Sequence, residues 1–234
     1  MYKALFTLLI FTACGFSSGK HHLPPAGNYD AVKSSINTQR NHFKSKYDAA
    51  SSDSAKKTVL LEAGNYLKAS LLDSVFPHWY NTGWDFNGYT DKPREGKVAC
   101  GYFVSTPLKH SGFNLNRFKL AQKYSTAIVK ILSAGDSVRS YRDISAHDFI
   151  ARSKKSLKDG LYVVGLDFHV GFLLYEKGEV FFIHSNYRDP VAVVREKALD
   201  SAALNDSKVF VLCNITGNEK LMKKWIMGTE LVVQ

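Results

Sequence analysis

The stretch "FHVGFLLYEKGEVFFIHS", Phe168 to Ser185, decides the fold. Two runs of β-branched and aromatic residues flank a short polar link, and Lys177–Gly178 at its centre has the chemistry of a tight hairpin turn. A hairpin pairs its strands antiparallel. The neighbouring runs have the same character: "GLYVVGLD" before it, "PVAVVRE" and "SKVFVLCNI" after it, each short and broken by Gly, Asp, Asn or Pro. The C-terminal half therefore reads as an antiparallel sheet.

The first half has the other period. "AVKSSINTQRNHFKSKYDAA" is polar with spaced apolar residues, and "DSAKKTVLLEAGNYLKASLLDSVF" carries Val59, Leu60, Ala63, Leu67, Leu71 and Leu72 at helical spacing. Ser51 to Ser54 are placed to cap its start. Further helices are expected over Gly101–His110, stopped near Gly112, over Asn116–Ser133, within "SAHDFIARSKKSL", and over Asn218–Trp225 before a short "TELVV" strand. Helices first and sheet second is the pattern of an α+β fold with segregated layers. We read one domain over residues 31–234, with residues 31–75 as a helical N-terminal extension.

Between the halves lies "PHWYNTGWDFNGYTDKPREGK", Pro77 to Lys97. Its prolines, glycines and asparagines exclude one regular element, and loops this long in compact domains are commonly functional. Trp79, Trp84 and Phe86 read equally as core anchors for this loop or as walls of a substrate groove.

The chain has 234 residues, 45% hydrophobic and 22% charged, which is ordinary for a globular protein; aromatics reach 13%. The formal net charge is +10, which favours anionic partners such as acidic wall polymers or lipid headgroups. The basic residues are scattered, without a Lys/Arg block interleaved with aromatics, so a nucleic-acid partner is not expected. At the N-terminus, Lys3 precedes an apolar run from Ala4 to Phe11 and then Cys14. The run is too short to span a bilayer and reads as an export signal over residues 1–13. Its "FTAC" ending resembles a bacterial lipobox, which implies lipidation at Cys14, a Gly/Ser/Pro tether over residues 14–30 and anchoring to a bacterial membrane. The bland alternative is a signal peptide cleaved nearby, with Cys14 incidental and the His21–His22 pair in the tether without a role.

Two cysteines remain, Cys100 and Cys213. In an exported protein they have the option of pairing, but Cys213 ends a buried-looking strand and reads as a core thiol. No C-x-x-C pair exists, which disfavours structural zinc; neither a metal nor a cofactor is expected. Cys100 opens a predicted helix in "KVACGYFVSTPLKHSGF". Partial positive charge and unpaired N–H groups at a helix start lower a thiol's pKa and stabilise an oxyanion. A cysteine nucleophile also needs a base, and the base an orienting partner. His169 and His184 lie on the two strands that the hairpin brings side by side, within reach on one face. Asn186, two residues further, is an alternative orienter. Core packing is the competing reading for all three side chains. His78, His110 and His147 read as surface or capping residues, Gln122 as helix surface and Asp167 as a strand-end carboxylate.

A cysteine at a helix start, then "HVG" on a strand, a hairpin, and a strand ending "FIH" resembles the motif order of the NlpC-type papain-like cysteine peptidases, over about Trp79 to Asn186. The resemblance implies a papain-like fold, with N-terminal helices packed on a small curved antiparallel sheet. It implies Cys100 as nucleophile, His169 as base and His184 as orienter, with Tyr80 helping to position the nucleophile or oxyanion. The implied activity is a cysteine peptidase or amidase acting on peptidoglycan stem peptides. Members carry Asp-Cys-Ser-Gly where this chain has "VACGYFV", so the acid before the cysteine and the serine after it are both missing. An acyl hydrolase or acyltransferase on a lipid or small amide, and a non-catalytic binding lipoprotein, stand as alternatives.

Overall fold

The computed structural model describes residues 27–233. The export segment, Cys14 and all of the tether before Gly27 lie outside them. Within them, 48% of the chain is helical and 20% is strand, arranged as α+β around a six-stranded antiparallel sheet.

Asn28 caps α1 (Tyr29–Ala49) by accepting from the Asp30 N–H, and Ser52, inside the predicted Ser51–Ser54 cap, starts α2 (Asp53–Ser70) by accepting from Ala55 N–H. The predicted apolar stripe of α2 is buried at Val59, Leu60, Ala63 and Leu67. A wide π turn, Leu71–Val75, carries the chain into the single turn α3 (Phe76–Trp79). After the long loop come α4 (Cys100–His110), α5 (Arg117–Ala121) and α6 (Ser125–Leu132). The single helix expected over Asn116–Ser133 is thus two. Asn116 caps the first through Phe118 and Lys119 N–H, and the chain then turns so that the Ser125 hydroxyl donates to the Leu166 carbonyl on the sheet side. The tertiary bond outweighs continued helical periodicity.

The order continues with β1 (Arg139–Arg142), α7 (Ala146–Ser156), β2 (Gly160–Gly165), β3 (Val170–Glu176), β4 (Glu179–Ser185), β5 (Val193–Lys197), α8 (Ala202–Asn205), β6 (Val209–Asn214) and α9 (Glu219–Met227). The sheet runs β1-β6-β2-β3-β4-β5. The expected hairpin joins β3 to β4, with Lys177 and Gly178 at φ 50° and 81°, the sign that a primed two-residue turn requires. β1, "RSYR", was not among the expected strands; its charged, exposed side chains suit an edge. The expected C-terminal strand reduces to one bridge between Leu231 and Leu115.

β2 and β3 are buried along nearly their whole length, because apolar side chains cover both sheet faces. One cluster joins Leu67, Phe76, Trp79, Phe103, Phe172, Ile183 and Trp225; the other joins Phe149, Leu166, Phe182, Leu204 and Phe210 under α7 and α8. The helices are therefore not segregated to one side as expected. α1 and α2 belong to the first cluster, where the Phe43 ring lies 6.4 Å from Trp225 of α9.

The long loop is tied down rather than loose. Residues 81–84 run as an extra edge against the segment before β5, with Asn81 N–H donating to Val193 O, Val193 N–H to Thr82 O and Trp84 N–H to Val191 O. The chain then returns so that Val98 N–H reaches Gly83 O and Ala99 N–H reaches Gly88 O. These bonds deliver Cys100 to a fixed place at the start of α4.

Candidate functional site

Ala99 is extended and Cys100 is the first helical residue, so the N–H groups of the first turn of α4 have no carbonyl to bond. The main-chain N–H groups of Val170, Gly101 and Cys100 itself point at the Cys100 sulfur. Ser185, on β4, donates from its hydroxyl to the buried Val98 carbonyl at 2.6 Å and so pins the segment just before the cysteine to the sheet. Behind the cysteine, a Cβ at position 101 would stand 2.4 Å from the Ala121 carbonyl oxygen. No side chain fits there without moving α5.

Val170, whose N–H faces the thiol, directly follows His169. His169 is buried, and its Nε2 lies 2.8 Å from Nδ1 of His184, which is 0% exposed. The strand register explains the meeting. Phe172 sits opposite Ile183, so one step further Gly171 faces His184, and His169 is two residues along on that face. A Cβ at Gly171 would come within 2.8 Å of the His184 Cβ and 2.6 Å of the Phe182 ring. The glycine of "HVG" thus leaves room for the His184 Cβ and the Phe182 ring, on which the His184 ring stacks at 4.1 Å.

The chain of polar contacts goes one residue beyond the three predicted. His184 Nε2 lies 2.9 Å from the Glu196 carboxylate on β5. Sequence reasoning missed Glu196. The signal was there: His184 pairs with Val194, and the residue two further along β5 shares its face.

Burial sets the charges. Cys100 is half-buried by surface exposure, yet its sulfur is desolvated enough to push the thiol above its ordinary 9.0, and the three main-chain donors offset this only in part. The expectation that the helix start lowers this pKa is corrected: desolvation wins over the N–H groups. Burial, with His184 adding to it, holds His169 well below 6.5. Burial also lowers His184, against the pull of Glu196. Glu196 is raised by burial but lowered more by the His184 and Ser201 side chains, and ends below 4.5. Ser201 Oγ lies near this carboxylate without reaching hydrogen-bond geometry. At neutral pH the site is a thiol, two neutral imidazoles and a carboxylate. No hydrogen bond joins the thiol to His169 among the described residues; such bonds commonly tighten only with substrate bound.

The remaining expected residues fall elsewhere. Trp79 is 0% exposed and donates to the Tyr29 hydroxyl at 2.8 Å; it anchors the core and does not line a groove. Trp84 is half-buried, 6.1 Å from Tyr187, whose ring lies 5.3 Å from His169. Tyr80 is buried in the first cluster, its carbonyl accepting from Arg94 Nε and its phenol pushed up to about 12 by burial. Asn186 accepts from Arg188 N–H through its side chain and closes the turn after β4, leaving His184 as the partner of His169. Asp167 holds the start of β6 by accepting from Lys208 and Val209 N–H. Cys213 is buried, not joined to Cys100, and its thiol is pushed up to about 12.

No family model matches this chain, and neither a curated protein nor a solved structure does. Its chemistry is therefore read from its own geometry. A thiol met by main-chain donors, one of them on the residue after a buried imidazole that a second imidazole contacts, has the parts for nucleophilic attack with proton transfer. Among the described residues, no group of three His, Cys, Asp or Glu side chains is placed to hold a metal ion.

Proposed function

We propose that this chain is an exported, lipid-anchored thiol hydrolase of papain-like fold, whose Cys100–His169–His184 site cleaves peptide or amide bonds in peptidoglycan stem peptides. The observation that carries the reading is the buried His169–His184 contact one residue from the Val170 N–H that faces the Cys100 thiol. Export and anchoring rest on the Ala4–Phe11 run and Cys14; the wall substrate rests on the motif resemblance and that export signal.

Cys100 Sγ attacks the substrate carbonyl carbon as its proton passes to His169. The N–H groups of Cys100 and Gly101 stabilise the oxyanion. His169 then protonates the leaving amine as the C–N bond breaks, and water hydrolyses the thioester with His169 again as base. His184 holds the His169 ring in place throughout.

The test is incubation of the purified protein with defined muropeptides, followed by mass spectrometry. New free amine and carboxyl ends with wild type, absent with Cys100→Ala and His169→Ala, are expected. Unaltered muropeptides with folded wild type overturn the wall-peptidase reading. Acyl hydrolysis of a lipid or small amide stands as the second substrate reading. Hydrolysis of a long-chain thioester or ester in the same assay, with muropeptides untouched, selects that substrate class; no Cys100-dependent product from either leaves the binding-lipoprotein alternative.

A further inference from the structure

We propose that Glu196 is a positioning residue that sets the tautomers of both imidazoles and so leaves His169 with a bare Nδ1 for the thiol. The proposal rests on the hydrolase reading only for what that nitrogen then does.

An ionised carboxylate only accepts hydrogen bonds. Glu196, at 2.9 Å, therefore requires the proton of His184 to be on Nε2. A neutral imidazole has one N–H, so His184 Nδ1 is a lone pair. That lone pair lies 2.8 Å from His169 Nε2, which must supply the hydrogen. His169 has then used its one N–H, and its remaining nitrogen, Nδ1, is an unprotonated base. The reversed chain needs His184 Nδ1–H donating to His169, which leaves a bare Nε2 facing a carboxylate lone pair inside the protein. It also leaves the proton of His169 on Nδ1, the wrong nitrogen for a base. The carboxylate at the far end thus selects one of two otherwise equivalent arrangements, and its low pKa keeps it accept-only.

Nothing else on the strand competes for Glu196. Arg195, on the opposite face, stacks on Phe181 at 4.3 Å, and Lys197 Nζ points to Glu179 at 3.9 Å. From the segment entering α8, the neutral Ser201 hydroxyl adds a pull.

The full chain, labelled with ¹⁵N-histidine, tests this by long-range ¹H–¹⁵N correlation at neutral pH, with ring assignments from His169→Ala and His184→Ala. Wild type is expected to show His169 and His184 both protonated at Nε2. In Glu196→Gln the amide accepts or donates equally well, so a second population protonated at Nδ1 of both rings is expected. Turnover is expected to fall about 10- to 100-fold, as for other partners that orient a functional histidine; Glu196→Asp, still accept-only, restores the wild-type tautomer. His169 protonated at Nδ1 in wild type, or a Glu196→Gln spectrum unchanged from wild type, overturns the proposal. The spectrum needs no substrate. Correct tautomers in a protein without Cys100-dependent hydrolysis defeat the hydrolase reading alone, and hydrolysis with the reversed tautomers defeats this one alone.

Discussion

Alkylation of Cys100 across pH separates two kinds of cysteine site. In one, thiolate and imidazolium are already paired at rest. In the other, thiol and imidazole are both neutral and the proton moves only during attack. The structure puts this chain in the second class, because burial raises the thiol above 9.0 and lowers His169 well below 6.5. With the thiol pKa above 9.0, the thiolate fraction at pH 7 is below about 1%, since each pH unit is a factor of ten. Iodoacetamide labelling, followed by peptide mass mapping, should therefore climb about tenfold per unit from pH 6 to 8.5 without a plateau. A resting ion pair with a thiol pKa of about 4 would label at a nearly constant rate over that range, so the two cases diverge by roughly two orders of magnitude. His169→Ala should leave the slope unchanged, because no imidazolium is being removed. Cys213 is the internal control: buried, with its thiol pushed up to about 12, it stays unlabelled in the folded protein. A plateau reached by pH 6 that disappears in His169→Ala would refute the desolvation argument and restore the paired thiolate.

Three further outcomes follow from the same packing. Gly101→Ser forces a Cβ to within 2.4 Å of Ala121 O; overpacking of this kind costs about 1–3 kcal/mol, and calorimetry should show Tm falling by about 2–12 °C for a domain of this size. A variant as stable as wild type would mean that α5 yields freely. Ser185→Ala removes a side-chain donor to the buried Val98 carbonyl, at about 1–3 kcal/mol; Cys100 labelling kinetics should change with Tm, and a fall in Tm alone would limit Ser185 to a structural part. Acid should destabilise the fold. His110, with folded pKa about 4, and the two site histidines all titrate lower folded than unfolded, so stability present above pH 6.5 is lost as pH falls towards the folded values. A melting series from pH 7.5 to 5 should decline, by at most about 1.4 kcal/mol per unit for each histidine, and a flat series would show these rings solvated.

The features legible in sequence are those with local causes. Ser52 caps α2 because a serine before an apolar helical stripe has a backbone N–H to accept from. The β3–β4 hairpin is written in Lys177–Gly178 and in the alternation on both sides, and the turn and alternation together put His169 and His184 on one face. What was missed depends on partners distant in sequence. The break after Ala121 comes from Ser125 bonding Leu166. The loss of Trp79 from the groove comes from α1 supplying Tyr29 beneath it. Glu196 required the register of a third strand. The sign of the Cys100 shift was misjudged for a related reason: a helix start is visible in sequence, whereas the depth at which the fold buries it is not.

The residues around Cys100 form one arrangement. α4 has no side-chain cap at Ala99. An aspartate there would accept the N–H of Gly101 or Tyr102 and set a negative charge beside the sulfur, raising a thiol pKa that burial already raises. Alanine leaves the donors facing the thiol, where they stabilise whichever anion forms, thiolate or oxyanion. Gly101 permits the close seat of α4 on α5 that aims those donors. The one carboxylate of the site stands instead at the far end, on β5, separated from the sulfur by two neutral rings. There Glu196 meets His184 and sets no negative charge beside the sulfur. A site built this way keeps its thiol neutral at rest, the form less open to oxidation than a standing thiolate.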